Sequence, residues 1–107
     1  MKRAAGLLLA AAVLAGCGGH KQSAAEKAAM DARFAELDYA MSSVTLSAPP
    51  YIENLEGLTR QYVEAIRKYD DDLGGNEVKR RLADKAVELE PYCLPCAGVL
   101  ESEREKY

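Results

Sequence analysis

The chain has 107 residues, with 14 Lys and Arg against 17 Asp and Glu, a single His and three Cys. That length suits one small domain, and the acidic balance argues against both nucleic acid and a polybasic grip on anionic lipid, since each needs basic surface. No apolar run approaches the roughly 20 residues a transmembrane helix needs.

The chain opens on Lys2 and Arg3, followed by Ala4 to Leu14, a stretch of Ala, Leu, Val and Gly without a charge. A basic start and a short apolar stretch ending in small residues describe a secretory signal. Leu14-Ala15-Gly16-Cys17 resembles the lipobox of bacterial lipoproteins: an aliphatic residue, two small ones and a cysteine. The resemblance implies a thioether-linked diacylglycerol on Cys17, removal of residues 1–16 by the lipoprotein signal peptidase, and a further acyl chain on the new amine. Each buried methylene contributes about 0.8 kcal/mol and stable anchoring takes more than one chain. Membrane lipid, reached through acylated Cys17, is therefore the first expected partner. In a Gram-negative host, Gly18 in place of Asp after the cysteine implies sorting to the outer membrane, facing the periplasm.

Loss of Lys2 and Arg3 with the signal leaves 12 basic against 17 acidic residues in a mature chain of 91. Once Cys17 carries lipid, Cys93 and Cys96 remain as an even pair in an oxidising compartment. Residues 17–23 are the lipidated cysteine and a flexible tether, with nothing apolar to bury. His20 lies in that tether, where it has no neighbours with which to hold a metal.

A helical domain over residues 24–107 is expected to follow. Ser23 is a candidate N-cap, with Glu26 completing a capping box. Met30, Phe34, Leu37, Met41 and Val44 recur at spacings of four and three and form one stripe of a helix, while Ala48-Pro49-Pro50 ends it. A second helix is expected from about Tyr51 to Asp72, with Ile52, Leu55, Leu58 or Thr59, Tyr62, Ile66, Tyr69 and Leu73 on its apolar face.

Asp70-Asp71-Asp72-Leu73-Gly74-Gly75 invites comparison with a calcium loop. Set against the EF-hand pattern, Gly74 falls on a ligand position and Arg81 where the bidentate Glu belongs, so an exposed acidic helix end is the better reading. Gly74 and Gly75 stop the helix and Asn76 is expected to cap the next. That third helix, about Glu77 to Glu90, puts Val78, Leu82, Ala86 and Leu89 on one face, with Lys79, Arg80, Arg81 and Lys85 mostly in solvent. The basic triplet could also pair with Asp70 to Asp72 across the turn. Ala86 to Pro91 resembles the close of a tetratricopeptide repeat, but Lys79 and Arg67 occupy sites where the repeat wants Ala and Gly, and no complete second unit exists.

Cys93-Leu94-Pro95-Cys96 brings two thiols three apart at the start of a last helix, where Pro95 suits the first turn. The spacing and the Pro resemble a thioredoxin-type dithiol, without the strand and helix pattern that surrounds such a motif. A structural disulfide is the leading expectation; redox work and a metal shared between copies are the alternatives. Val99 and Leu100 would supply the apolar contact of this helix, and Glu101 to Tyr107 reads as a fraying end.

The expected fold is all-α: a small antiparallel bundle of three helices plus a short fourth, with Met41, Val44 and Leu46 partly exposed. No nucleophile, base and orienter can be assembled, nor a metal quartet or a phosphate loop, so neither enzyme activity nor a cofactor is expected. The functional expectation is a membrane-anchored envelope lipoprotein whose helices form a non-catalytic interaction or structural module, meeting an envelope protein partner or a second copy of itself. The alternative is an envelope thiol–disulfide protein working through Cys93 and Cys96. Resemblance to the major murein lipoprotein fails at the end of the chain, where Tyr107 follows Lys106, and at Pro49, Pro50, Gly74 and Gly75, which interrupt a continuous coiled coil.

Overall fold

A computed structural model describes residues 22–47, Pro49 and 51–107. Residues 1–16, expected to be a signal, lie outside the described residues, as do Cys17 and His20. Four helices follow in order: α1 (Ala24–Leu46), α2 (Ile52–Leu73), α3 (Gly75–Leu89) and α4 (Leu94–Arg104), with no strand among the described residues.

The first helix begins as its capping box requires. The Ser23 hydroxyl accepts from the Glu26 amide at 3.1 Å and the Glu26 carboxylate accepts from the Ser23 amide at 2.8 Å, so two amides that the helix leaves unpaired are satisfied. Of the expected stripe, Met30, Phe34, Leu37 and Met41 are buried, and Val44 packs partly buried at the core's edge. Met41 is thus more enclosed than its place near the helix end suggests; Leu46, 85% exposed, does stay in solvent.

On α2 the buried face is Leu55, Thr59, Tyr62, Val63, Ala65 and Ile66. Thr59, rather than the half-buried Leu58, takes the inward position, and its hydroxyl donates to the Leu55 carbonyl at 2.7 Å, which removes the cost of burying it. Ile52 departs from expectation. It continues the stripe but, in the first turn of α2, is 50% exposed.

One residue, Gly74, joins α2 to α3. Its φ of 87° and ψ of 152° lie in a region open essentially to glycine alone, and its amide donates to the Asp70 carbonyl while its own carbonyl accepts from Val78. Gly74 therefore serves as both the end of one helix and the start of the next. Asn76, expected as the cap, is already inside α3, which has no side-chain cap.

Contacts between helices set the directions. Gln22 and Glu26 border the same depression as Lys68 and Asp72, Arg33 reaches Gln61, and Val44 lies near Leu58, so α1 and α2 run antiparallel. Phe34 meets Arg81 and Asp38 meets Lys85, so α3 runs with α1; Arg67 meets Glu103 and Asp70 meets Tyr107, so α4 runs with α2. The result is an up-down-up-down bundle in which α2 packs against all three others. Phe34 sits in an aromatic cluster at its centre, edge-on to Tyr62 at 5.5 Å and tilted to Tyr69 at 6.1 Å.

The last helix corrects two expectations. Leu100 and Ala97 face the core, while Val99 is about half exposed on the outer side. The charged end does not fray. Glu103 is buried and tied to α2, and Tyr107 is partly buried against the core.

Candidate functional site

The two cysteines singled out by sequence are joined, with an S–S distance of 1.99 Å and Cα atoms 5.2 Å apart. Cys93 is the N-cap of α4: its Sγ accepts from the Cys96 amide at 3.2 Å, the role that an oxygen-bearing side chain fills at most helix starts. Pro95 occupies the first turn, where its missing N–H costs nothing. Upstream, the amides of Glu90, Tyr92 and Cys93 donate to the carbonyls of Ala86 and Leu89, so the corner between α3 and α4 has its backbone groups paired. Both cysteines are 1% exposed, with Tyr92 and Leu94 standing in solvent beside them. Thiol–disulfide exchange needs a thiolate to reach a sulfur along the S–S axis, and burial at this corner obstructs that approach.

Lys85, expected among the solvated residues of α3, is buried. Its ammonium lies 2.7 Å from Asp38 of α1 and 3.0 Å from Glu88 of α3, and 5.5 Å from the centre of the Tyr62 ring. Burial alone would lower its pKa, but the hydrogen bonds to Asp38 and Glu88 outweigh that and hold it above its ordinary value. The Tyr62 hydroxyl is pushed well up, by burial first and then by the charge on Asp38. The aliphatic stem of Lys85 fills the space between helices while its charge is met on two sides, which is how a buried cation is tolerated.

Arg80 and Arg81 pair within their own helix and not with Asp70 to Asp72. Glu77 accepts from Arg80 at 3.0 Å and from Arg81 at 2.8 Å, and these bonds hold its carboxyl down at about 2. Arg81 also lies 4.8 Å from the centre of the Phe34 ring, so the same side chain covers the aromatic cluster. Asp70, at the head of the acidic run compared with a calcium loop, accepts from the Tyr107 hydroxyl at 3.0 Å.

At the other end of α4, Arg67 grips Glu103 with two bonds of 2.9 and 2.8 Å, and Lys106 adds a third contact at 3.2 Å. Hydrogen bonding from Arg67 exceeds the opposing effect of burial, so the Glu103 carboxyl lies below its usual range. These are ties between helices with both charges occupied. Sequence reasoning missed Lys85 and Glu103 because their partners, Asp38 and Arg67, lie far away in the chain; only the Lys at a position adjoining the α3 stripe hinted at the first.

Among the described residues no group of three or more His, Cys, Asp or Glu is placed to hold a metal ion, and no helix is long and apolar enough to cross a membrane. The site that remains is the disulfide corner with its exposed Tyr92 and Leu94, and Cys17 outside the described residues. No protein-family model, curated protein or solved structure matches the chain.

Proposed function

We propose that the protein is an envelope lipoprotein, anchored through acyl chains on Cys17 in the outer membrane and facing the periplasm, whose helical domain acts as a non-catalytic interaction or structural module with an envelope protein partner. The observation that carries this reading is Leu14-Ala15-Gly16-Cys17 behind a basic start and an uncharged apolar run. The structure agrees with a module of this kind in three respects. Its charged clusters are closed on one another, its disulfide is buried at a helix corner, and several large apolar side chains remain in solvent.

Metabolic labelling with an alkyne-tagged fatty acid tests the anchor. Wild-type protein takes up label and resists extraction from membranes by carbonate, whereas Cys17→Ala takes up none. Equal labelling of the variant rejects the proposal.

Redox work through Cys93 and Cys96 is the second reading, favoured by one observation: the bridge closes across the start of a helix with Pro95 between the sulfurs. A reduction potential above about −200 mV supports exchange chemistry, and one below about −300 mV leaves a structural staple. Burial of both sulfurs makes the lower value the expected result.

A further inference from the structure

The outer seam between α1 and α2 opens into a hollow of about 610 Å³, a volume that suits a small ligand. Tyr39 borders it with its side chain 77% exposed, and the half-buried Ala40, Val44, Gly57 and Leu58 make its floor. Gly57 stands in the interior of α2, where glycine is the poorest helix former after proline. A Cβ there would meet only the Arg60 guanidinium, at an ordinary 3.8 Å, so alanine would suit the chain's own packing. Glycine instead leaves the backbone of α2 open to close approach from the hollow.

The exposed rim of the same hollow is Ser43, Glu53, Asn54 and Gln61. Gln61 accepts from Arg33 through its Oε1, so its Nε2 is left as a donor. Among the described residues the Ser43 hydroxyl, the Asn54 amide and the Glu53 carboxylate make no side-chain hydrogen bond. Donors and acceptors therefore stand together beside an aromatic ring and an apolar floor. No Lys or Arg lines the hollow; Arg60, alongside Gly57, borders the groove between α2 and α4 instead. An anion would thus meet Glu53 without a cation to hold it, and an apolar helix would bury four polar groups unpaired.

We infer that this hollow binds a neutral sugar chain of N-acetylated amino sugars. A pyranose has one face of C–H groups, which the negative face of the Tyr39 ring attracts, and a girdle of hydroxyls, which can both donate and accept. The acetamido group accounts for the remaining features: its methyl suits the floor at Val44 and Leu58, its carbonyl the Gln61 donor, and its N–H the Glu53 carboxylate or the Asn54 carbonyl. Gln61 also borders the next hollow along the seam, with Arg33, Glu36 and Glu64, so the groove continues beyond a single ring. This site goes beyond the reading of the protein as an anchored module and stands on the helical domain alone.

The test uses the full lipidated chain in nanodiscs of zwitterionic lipid, with empty nanodiscs as the blank and saturation-transfer NMR as the readout. The probe is triacetylchitotriose, compared with cellotriose, which has the same linkage without the acetamido groups. Expected are saturable binding of triacetylchitotriose, with strong transfer to its acetyl methyls, and affinity for cellotriose lower by about tenfold. Tyr39→Ala and Asn54→Ala should each weaken binding by about tenfold, while Tyr39→Phe, which keeps the ring, stays within about twofold of wild type. Gly57→Leu fills the floor with a better helix former, so binding is lost while the urea midpoint holds or rises. Tyr92→Ala, an exposed ring at the other hairpin, leaves binding unchanged. Absence of saturable binding overturns the inference, as does equal affinity for cellotriose, insensitivity to Tyr39→Ala and Gly57→Leu, or an equal loss in Tyr92→Ala. Fatty-acid labelling of Cys17 is a separate readout, so failure of the sugar site leaves the anchor standing and failure of the anchor leaves the sugar site.

Discussion

The two hairpins of this bundle are closed by opposite means. Between α3 and α4 the chain turns in four residues, and a disulfide, a sulfur N-cap and paired backbone amides fix the corner over the buried Leu89. Between α1 and α2 the turn passes Pro49 and Tyr51, the N-cap Tyr51 offers no side-chain hydrogen bond, and Leu46 and Ile52 are left in solvent. One hairpin is finished internally. At the other, Ile52 continues the apolar stripe of α2 but is only half covered among the described residues.

The sharpest way to break this contrast is to truncate one aliphatic side chain on each side of it. Leu89→Ala, at a fully buried position, is expected to cost about 2–5 kcal/mol, whereas Ile52→Ala at the open end should cost under about 0.5 kcal/mol. Urea unfolding measures both. Similar losses at the two positions would mean that the open end is packed in solution.

Removing the bridge comes next. In the chain-entropy model a ring this small stabilises by about 2 kcal/mol, so Cys93→Ser/Cys96→Ser should lower stability by that order and speed amide exchange over 90–97. Exchange over α1 below Met41 should change little. A uniform acceleration throughout the bundle would show the corner to be part of the global core and not a local clamp.

Gly74 links the two hairpins, and its positive φ has room for a Cβ but not the backbone freedom. Gly74→Ala is expected to cost about 1–3 kcal/mol through strain alone, measurable as a lowered urea midpoint with unchanged slope. At the start of α1, Ser23→Ala removes half of the capping box and should cost about 1 kcal/mol, seen as faster exchange of the first helical amides.

The smallest effects concern pH, and both fall on the tie between α2 and α4. Glu103 has a folded pKa below the unfolded carboxylate value of about 4.3, so its contribution is complete above that value and is lost as pH falls through the folded one. Tyr107 has the opposite sign: burial and the bond to Asp70 push it up to about 12, so its contribution holds below about 10 and fades between 10 and 12. Urea midpoints followed across pH should therefore decline at both extremes, with the acid decline reduced in Glu103→Gln and the alkaline one in Tyr107→Phe.

Local rules made much of the fold legible in the sequence. The capping box at Ser23, the stripe Met30, Phe34, Leu37, Met41 and the stop near Pro49 each depend on neighbours within one or two turns, and each stands where expected. Periodicity likewise identified Val78, Leu82, Ala86 and Leu89. What stayed hidden depends on partners distant in sequence. Lys85 looks like a solvated residue until α1 brings Asp38 alongside; Glu101 to Tyr107 looks like a frayed end until Arg67 and Asp70 hold it. Asn76 was a reasonable cap by residue type, but a connector of one glycine leaves no room for a separate one. Of the candidate site, the cysteine pair could be read from its spacing, and its burial could not, because that follows from how α3 and α4 pack over the corner.

The claim on which the functional account stands is the anchor, and intact mass spectrometry of the protein extracted from its native membranes tests it most directly. The predicted result is a mature chain beginning at Cys17 and heavier than its amino-acid sequence by a diacylglycerol thioether and a further acyl chain. A chain that begins elsewhere, or one that begins at Cys17 with an unmodified thiol, would contradict the account.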